Sequence, residues 1–523
     1  MTLLAPRIRL ASPLRLVGTV RPHRYGDPVL VGVVSLVVYG LHGYDGVLNR
    51  DLGVFTYGGE HVARGVPPYV GIFNSVGPLA DAVPGLAIWL GHFAGADPIL
   101  SARLFFTVLS ALCCSLLCVL ARDTFGSRAA GLVAPAVFLT DECFLDLASD
   151  GPREKTTMVL FVLGCLILLG RRRWAPAGAC AALATLTWQP ALAVAVAGVA
   201  AAVLLDEQDT RRRILLRFTV GGAVPSLATF CYFLGAGALT RALSGFIVVN
   251  VRYTEQPSAL TDPGTTWQML WLAYHWTLPP VIAGLAALLV LGVRAVPFAR
   301  RPTVSPVARR LVLTASGALV GTGWTLLAIN GGPDLFVLLP FAALGIAGVV
   351  VLLLGRLPRR AALAGAAAVV TVSVAVAGVM SVTSRDDRLL AQRADIAAVL
   401  GTQPSSATVV ALSAPQVLAL SGRTSPVPYQ IFSGTMERYL AGTYPGGMPG
   451  FMAGLRDLRP TFVVVGSTFH GYWPYPWLQR EYRRVGGGAS FTWYLRRSAG
   501  HDALIRARIA HDEALTPFGR SPR

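Results

Sequence analysis

Apolar positions along the chain gather into long runs, at about 28–44, 98–121, 128–146, 155–170, 215–235, 269–293, 311–330, 334–355 and 361–382, with charged residues collected between them. Most approach the ~20 apolar residues that carry a helix across a hydrocarbon core. In lipid only helices and closed barrels satisfy their own backbone, and these runs lack the two-residue alternation of barrel strands. The pattern predicts an all-α polytopic transmembrane bundle of about 10–12 membrane segments, spanning 28–382. Two stretches are less regular. Residues 174–206 link one arginine cluster to another and hold two short legs that turn near "TWQP" (187–190), below the outer surface. Short paired legs with a proline break are what membrane transport and catalytic sites use. The run 79–97 is interrupted by Asp81, Pro84, His92 and Asp97 and is expected as an outer-surface or partial helix.

The period changes after about residue 383. "ADIAAVLG" (394–401) has helical spacing, whereas "SSATVVALS" (405–413), "PTFVVVGS" (460–467) and "ASFTWYLRR" (489–497) have the β-branched and aromatic content of short strands. A small α/β domain is expected over 383–498, without a glycine-rich phosphate loop, paired histidine ligands or a Gly-x-Ser-x-Gly elbow. The charged end, 499–523, is expected as a disordered tail.

Composition sharpens this picture. The chain is 54% hydrophobic and 14% charged, against roughly 25% charged in soluble domains. A net charge of +18 could suggest nucleic acid, but the arginines cluster at 7–24, 171–173, 211–217, 294–310 and 356–360, each beside an apolar run. That is the positive-inside pattern of a multi-pass plasma-membrane protein, and such patches attract anionic lipid headgroups, not a polynucleotide. It predicts a cytoplasmic basic N-terminus (1–27), an uncleaved first membrane helix, and loop 45–78 and the 383–498 domain on the extracytoplasmic face. The seven cysteines all fall in apolar runs, as small core residues do.

The loop behind the first helix, "NRDLGVFTYGGEHVARGVPPY" (49–69), is crowded with charges, aromatics and glycines. From Asp51 onward it has helical spacing, with Leu52, Phe55 and Val62 able to share one face and Asp51 and Tyr57 lying elsewhere. A solvated aspartate capping that helix is the plain reading of Asp51. Glu60, His61 and Arg64 either line a cleft or are solvated. Arg153 and Lys155 at the outer start of helix 155–170, and Arg252 in the loop 236–268, are cations at headgroup level and suit lipid anchoring or anion binding. The aromatics of 253–276 and "HGYWPYPW" (470–477) suit either an interfacial belt or sugar stacking.

An acidic residue just after the first helix, then Gly-x-x-Pro-Tyr, then Gly-Pro-Leu, resembles the GT-C membrane glycosyltransferases, in particular the polyprenyl-phosphate (dolichyl-phosphate-mannose type) branch. Asp51, Gly53, Tyr57, Gly65, Pro68, Tyr69, Phe73, Gly77, Pro78 and Leu79 carry the likeness. It extends through "SDGPREKTTMVLFVLGCLILLGRRR" (149–173), "LATLTWQPAL" (183–192), "VVNVRYTEQ" (248–256) and "NGGPDLFVLLPFAAL" (330–344). The resemblance implies transfer of a sugar, a mannose or a pentose, from a polyprenyl-phosphate donor to a glycan, lipid or protein hydroxyl at the outer face. Asp51 would be the general base. Tyr57, Glu60, Arg64, Tyr69, Arg153, Lys155, Gln189 and Arg252 would contact substrate, with the cations on the leaving phosphate. No cofactor and no metal ligand set is implied.

The chain departs from the family pattern at three places. Asn74, Ser75 and Val76 stand where relatives have Asp-Asn-Lys, Gln189 stands for a frequent lysine, and Asp334-Leu335 for a frequent His-Tyr. Two alternatives are a lipid-linked-sugar flippase and a non-catalytic partner in cell-envelope glycan assembly. A flippase favours charges near the midplane of several helices, and the apolar runs are nearly charge-free in their centres.

Overall fold

The computed structural model describes residues 25–206, 209–254, 258–299, 306–488 and 490–518. Most of the expected basic N-terminus, part of the 294–310 arginine cluster and the last five residues of the expected tail lie outside the described residues. The first part of the chain forms α1 (Gly26–His42), α2 (Arg50–Ala63), α3 (Leu79–Phe93), α4 (Pro98–Phe125), α5 (Arg128–Phe138), α6 (Glu142–Asp150), α7 (Glu154–Gly170), α8 (Trp174–Thr187) and α9 (Ala191–Leu205). After these come α10 (Arg211–Gly235), and α11 (Leu239–Leu243) running into a π-helix (Ser244–Tyr253). The bundle closes with α12 (Pro263–Tyr274), α13 (Leu278–Ala299), α14 (Pro306–Leu327), a 3₁₀ turn (Gly332–Val337), α15 (Leu339–Leu354) and α16 (Arg359–Thr383). The apolar runs thus coincide with helices, and 174–206 is two short helices joined at Trp188–Pro190.

Several helices start at side-chain caps. Asn49, Asp97, Ser127 and Asp141 each accept a hydrogen bond from the backbone N–H three residues on, opening α2, α4, α5 and α6. Outward faces are apolar: Leu216, Val220, Val224 and Leu227 of α10, and Val372, Val376 and Val379 of α16, are exposed. Such faces need a hydrocarbon solvent, so this is a multi-pass membrane protein. Helix α8 meets α10 backbone to backbone, since a Cβ on Gly178 would lie 1.9 Å from the Phe218 carbonyl oxygen. This is the small-residue contact that lets membrane helices approach closely.

Ion pairs sort the helix ends onto two rims. On one, Arg128 pairs with Asp27 at 2.7 Å, Arg171 with Asp123 at 2.7 Å, and Arg172 and Arg309 both with Asp206. On the other, Arg103 donates to the Tyr44 and Gly46 carbonyls, and the Leu389 N–H to the Asp45 carbonyl at 3.0 Å. Asp97 pairs with Arg393 at 2.8 Å on this second rim. Helix α3 begins beside the α8–α9 turn, where the Gly77 N–H donates to the Thr187 carbonyl at 3.2 Å. It ends near Asp97, so its far end lies on the side of the sheet domain.

That domain contains α17 (Arg388–Gly401), β1 (Val409–Leu412), α18 (Pro415–Ser421), α19 (Gly434–Thr443), α20 (Gly447–Asp457), β2 (Phe462–Gly466), α21 (Tyr475–Glu481), β3 (Tyr482–Gly487), β4 (Phe491–Arg496) and α22 (His501–Leu515). The sheet order is β1-β2-β4-β3, with β1 and β2 parallel and the other pairs antiparallel. Strands β1, β2 and β4 fall on the three expected segments; β3, "YRRVGG", was hidden by its glycines and arginines. The expected disordered tail is corrected over 501–515. Here α22 packs on α17, with His511 buried against Asp395 (Nδ1 to Oδ1, 2.5 Å) and Asp395 also accepting from the Trp493 indole at 3.0 Å.

The sheet is covered on both faces, and the loop 45–78 supplies part of each cover. Leu48, Leu52, Val54, Phe55 and Tyr57 join Val409, Phe462 and Trp493 in one core, while Tyr69 and Phe73 join Val410, Val463, Phe432 and Phe451 in the other. Tyr57, on another side of α2 from Leu52 and Phe55, is buried as well. Helix α2 is buried nearly all round because the sheet domain covers the side that sequence alone would leave to water.

Candidate functional site

Asp51 sits in the first turn of α2, which Asn49 caps, so the capping reading of Asp51 does not hold. Its side chain is 36% exposed and is held between two arginines. Arg50 Nε and Nη2 both lie 2.8 Å from Oδ1, and Arg153 Nη1 lies 3.0 Å from Oδ2. The pairing continues inward. Arg153 Nε is 3.4 Å from Glu154 Oε2, Lys155 Nζ is 3.2 Å from Glu154 Oε1, and Lys155 Nζ is 2.8 Å from Asp334 Oδ1. Asp334 is fixed in turn by the Asn330 N–H at 2.6 Å. Six charges alternate in sign from Arg50 to Asp334 and sum to zero. From Arg153 inward the members are buried, and buried ions persist only when paired in this way. Burial by itself would raise the Asp51 pKa, but Arg153 and then Arg50 outweigh it and hold the carboxyl well below the usual carboxylate range.

The re-entrant stretch 73–78 lies alongside. Gln189 Nε2 donates to the Ser75 carbonyl at 2.9 Å and the Phe246 carbonyl at 3.1 Å, and Asn250 donates to the same Ser75 oxygen at 2.6 Å. The Tyr69 hydroxyl donates to the Val76 carbonyl at 2.6 Å. Asn74 and Asp81, both buried, meet at 3.2 Å. Under this loop runs an apolar groove of about 530 Å³ between α8, α10 and the 239–247 segment, lined by Tyr69, Pro78, Leu186, Phe230, Phe233 and Phe246 among others. Trp188, two residues past Leu186, carries the Lys155 ammonium 5.4 Å from its ring centre. The α8–α9 turn thus links the groove wall at Leu186 to the charged chain at Trp188.

No protein-family model and no curated protein matches the sequence. Solved structures do. ArnT from Cupriavidus metallidurans in the apo state aligns with a TM-score of 0.55 at 16% identity, over 89% of this chain and 97% of that one. The same protein bound to undecaprenyl phosphate aligns with 0.54 at 18% identity over the same shares. Arabinosyltransferase EmbB from Mycobacterium smegmatis aligns over 71% of this chain and 42% of its own at 16% identity, with a TM-score of 0.35 too low to carry an argument. The fold is that of ArnT.

Within this fold the expected site residues divide. Asp51, Arg153 and Lys155 come together through Glu154. Tyr57 does not join them; its hydroxyl accepts from the Ser425 N–H at 2.9 Å and ties α2 to the sheet domain. Glu60 pairs with Arg64 at 3.4 Å, nine residues along α2 from Asp51 and so about 13 Å up the axis, on the opposite side. Burial pushes the Glu60 carboxyl up to about 7; Arg64 opposes the shift and Asp97 adds to it. Tyr69 is a buried prop of the loop and a groove wall. Gln189 spends its amide donors on the Ser75 and Phe246 carbonyls. Arg252 is exposed on the π-helix. Sequence reasoning missed Arg50 and Glu154 and the pairing of Asn74 with Asp81. Among the described residues no cluster of three or more His, Cys, Asp or Glu is placed to hold a metal ion.

Proposed function

We propose that the protein transfers a sugar from a polyprenyl-phosphate donor to an acceptor hydroxyl at the extracytoplasmic face, with Asp51 as general base. The observation that carries this is the apolar groove whose wall leads, through the α8–α9 turn, to a buried chain of paired charges that holds Arg153 and Lys155, beneath a half-open carboxylate. An isoprenoid tail fits the groove, and the leaving phosphate fits the cations. A structure of the same fold at low identity bound to undecaprenyl phosphate supports that donor class. In the step, the acceptor oxygen bonds the anomeric carbon as its proton passes to Asp51. The anomeric C–O bond to phosphate breaks, and its electron pair leaves on the phosphate. Pairing of the donor end with Arg153 and Lys155 requires that the second rim faces outward, as the arginine distribution predicts.

The test is transfer by the purified chain in nanodiscs, with polyprenyl-phosphate sugars as donors. Asp51→Asn should lower turnover by about 10²–10⁴, the worth of a positioned base. Near-normal turnover in that variant removes Asp51 from the reaction. Failure of the parent to bind any polyprenyl phosphate saturably removes the donor.

A further inference from the structure

The geometry that brings Asp51 to the site also disarms it. Both carboxylate oxygens are occupied, Oδ1 by the Arg50 fork and Oδ2 by Arg153. A carboxylate saturated by two guanidinium groups is a poor proton acceptor, because each bond favours its charged form. The burial pattern says which of the two can let go. Arg50 is partly exposed and pairs with Asp51. Arg153 is buried, and its Nε makes no hydrogen bond. A guanidinium has five N–H donors in a fixed fork, so Arg153, whose Nε meets Glu154 Oε2 only as an ion pair at 3.4 Å, has hydrogen-bonding capacity to spare beside a half-open carboxylate. It also occupies the N-cap of α7, a 17-residue helix whose first N–H groups receive no side-chain cap. Unspent guanidinium donors beside an uncapped helix N-terminus form an anion-binding arrangement.

We propose that Arg153 is handed from Asp51 to the donor phosphate when a polyprenyl-phosphate donor binds, so that Asp51 becomes a competent base only in the loaded site. The inference rests on the donor reading above. Arg50 keeps the carboxylate in place through Oδ1 during the exchange, and Oδ2, the oxygen Arg153 releases, is the one freed to take the acceptor proton. The device ties base strength to donor occupancy, so an empty site holds no activated carboxylate.

Competition for one guanidinium has a thermodynamic signature. If the phosphate must take Arg153 from Asp51, then removing the competing charge tightens lipid binding, and only where Arg153 is present. The probe is undecaprenyl phosphate, titrated onto the full chain in nanodiscs. Asp51→Asn should bind about tenfold more tightly than the parent, the worth of one charge-assisted bond. In an Arg153→Gln background the same substitution should change affinity by less than about twofold. Should Arg153→Gln not fold, Arg153→Lys retains the charge that Glu154 needs, and there the gain should fall to about threefold or less because lysine cannot fork. Equal tightening with and without Arg153 would show a general field effect and overturn the hand-off, as would no tightening at all. A parent that binds the lipid without saturation defeats the donor reading, and the hand-off falls with it. The two failures are thus distinguishable.

Discussion

Gly53→Ala tests how tightly the sheet domain holds the helix that carries Asp51. Gly53 faces α18, and a Cβ there would lie 2.6 Å from the Gln416 backbone nitrogen, 2.8 Å from its Cα and 2.9 Å from its Cβ. Two of the three atoms are backbone, which cannot rotate aside. Two effects compete. Alanine in a helix interior gains about 1 kcal/mol over glycine, whereas forcing a methyl into a filled contact costs about 1–3 kcal/mol. The net loss is about 0–2 kcal/mol, too little to unfold the protein. Geometry suffers more. Opening 2.6 Å to an ordinary contact of 3.4 Å moves α2 or α18 by several tenths of an ångström, and Asp51 lies on the same turn as Gly53. Misplacing a catalytic group by about 1 Å costs up to ~10²-fold. The expected outcome is turnover lowered by about 10–100-fold with thermal unfolding little changed, both measured on the same nanodisc preparation. A variant stabilised by about 1 kcal/mol with parental turnover would refute the reasoning, because it would show that the contact yields freely and does not set the position of Asp51.

Three further outcomes are expected. Docking of α22 should weaken as pH rises: burial alone would lower the His511 pKa, but the Asp395 contact raises it above its ordinary value. Its contribution is then complete below about 6.5 and lost as pH climbs through the folded value. Hydrogen exchange over 501–515, corrected for intrinsic rate, should show this loss of protection, and Asp395→Asn should abolish the trend. Gln189→Leu removes two bonds to the Ser75 and Phe246 carbonyls, each worth about 0.5–1.5 kcal/mol; proteolysis within 70–78 should quicken, and unchanged protection would deny the clamp. A reporter fused after Arg385 should be active outside the cytoplasm and one after Arg173 inside, and the reverse at both points would invert the proposed site.

The sequence by itself determined where the helices run, because an apolar stretch of about 20 residues has one stable arrangement in lipid and the hydrocarbon thickness sets its length. It likewise located β1, β2 and β4, and it singled out Asp51, Arg153 and Lys155 from a resemblance. Tertiary structure alone decided how these charges are used. Positions 153, 154 and 155 are successive on one turn, where neighbours do not ordinarily face each other, and Asp334 is distant along the chain. Only the packing of α7 against the 3₁₀ turn and the start of α2 turns them into one alternating chain with Arg50. The same holds for Tyr57, which the resemblance assigned to substrate and the sheet domain buries, and for α22, whose charged surface hides the buried His511–Asp395 pair that anchors it. Local pattern records which solvent a segment prefers. Which partner a buried charge finds is a property of the assembled fold, because desolvation makes the pairing compulsory only once the segments have met.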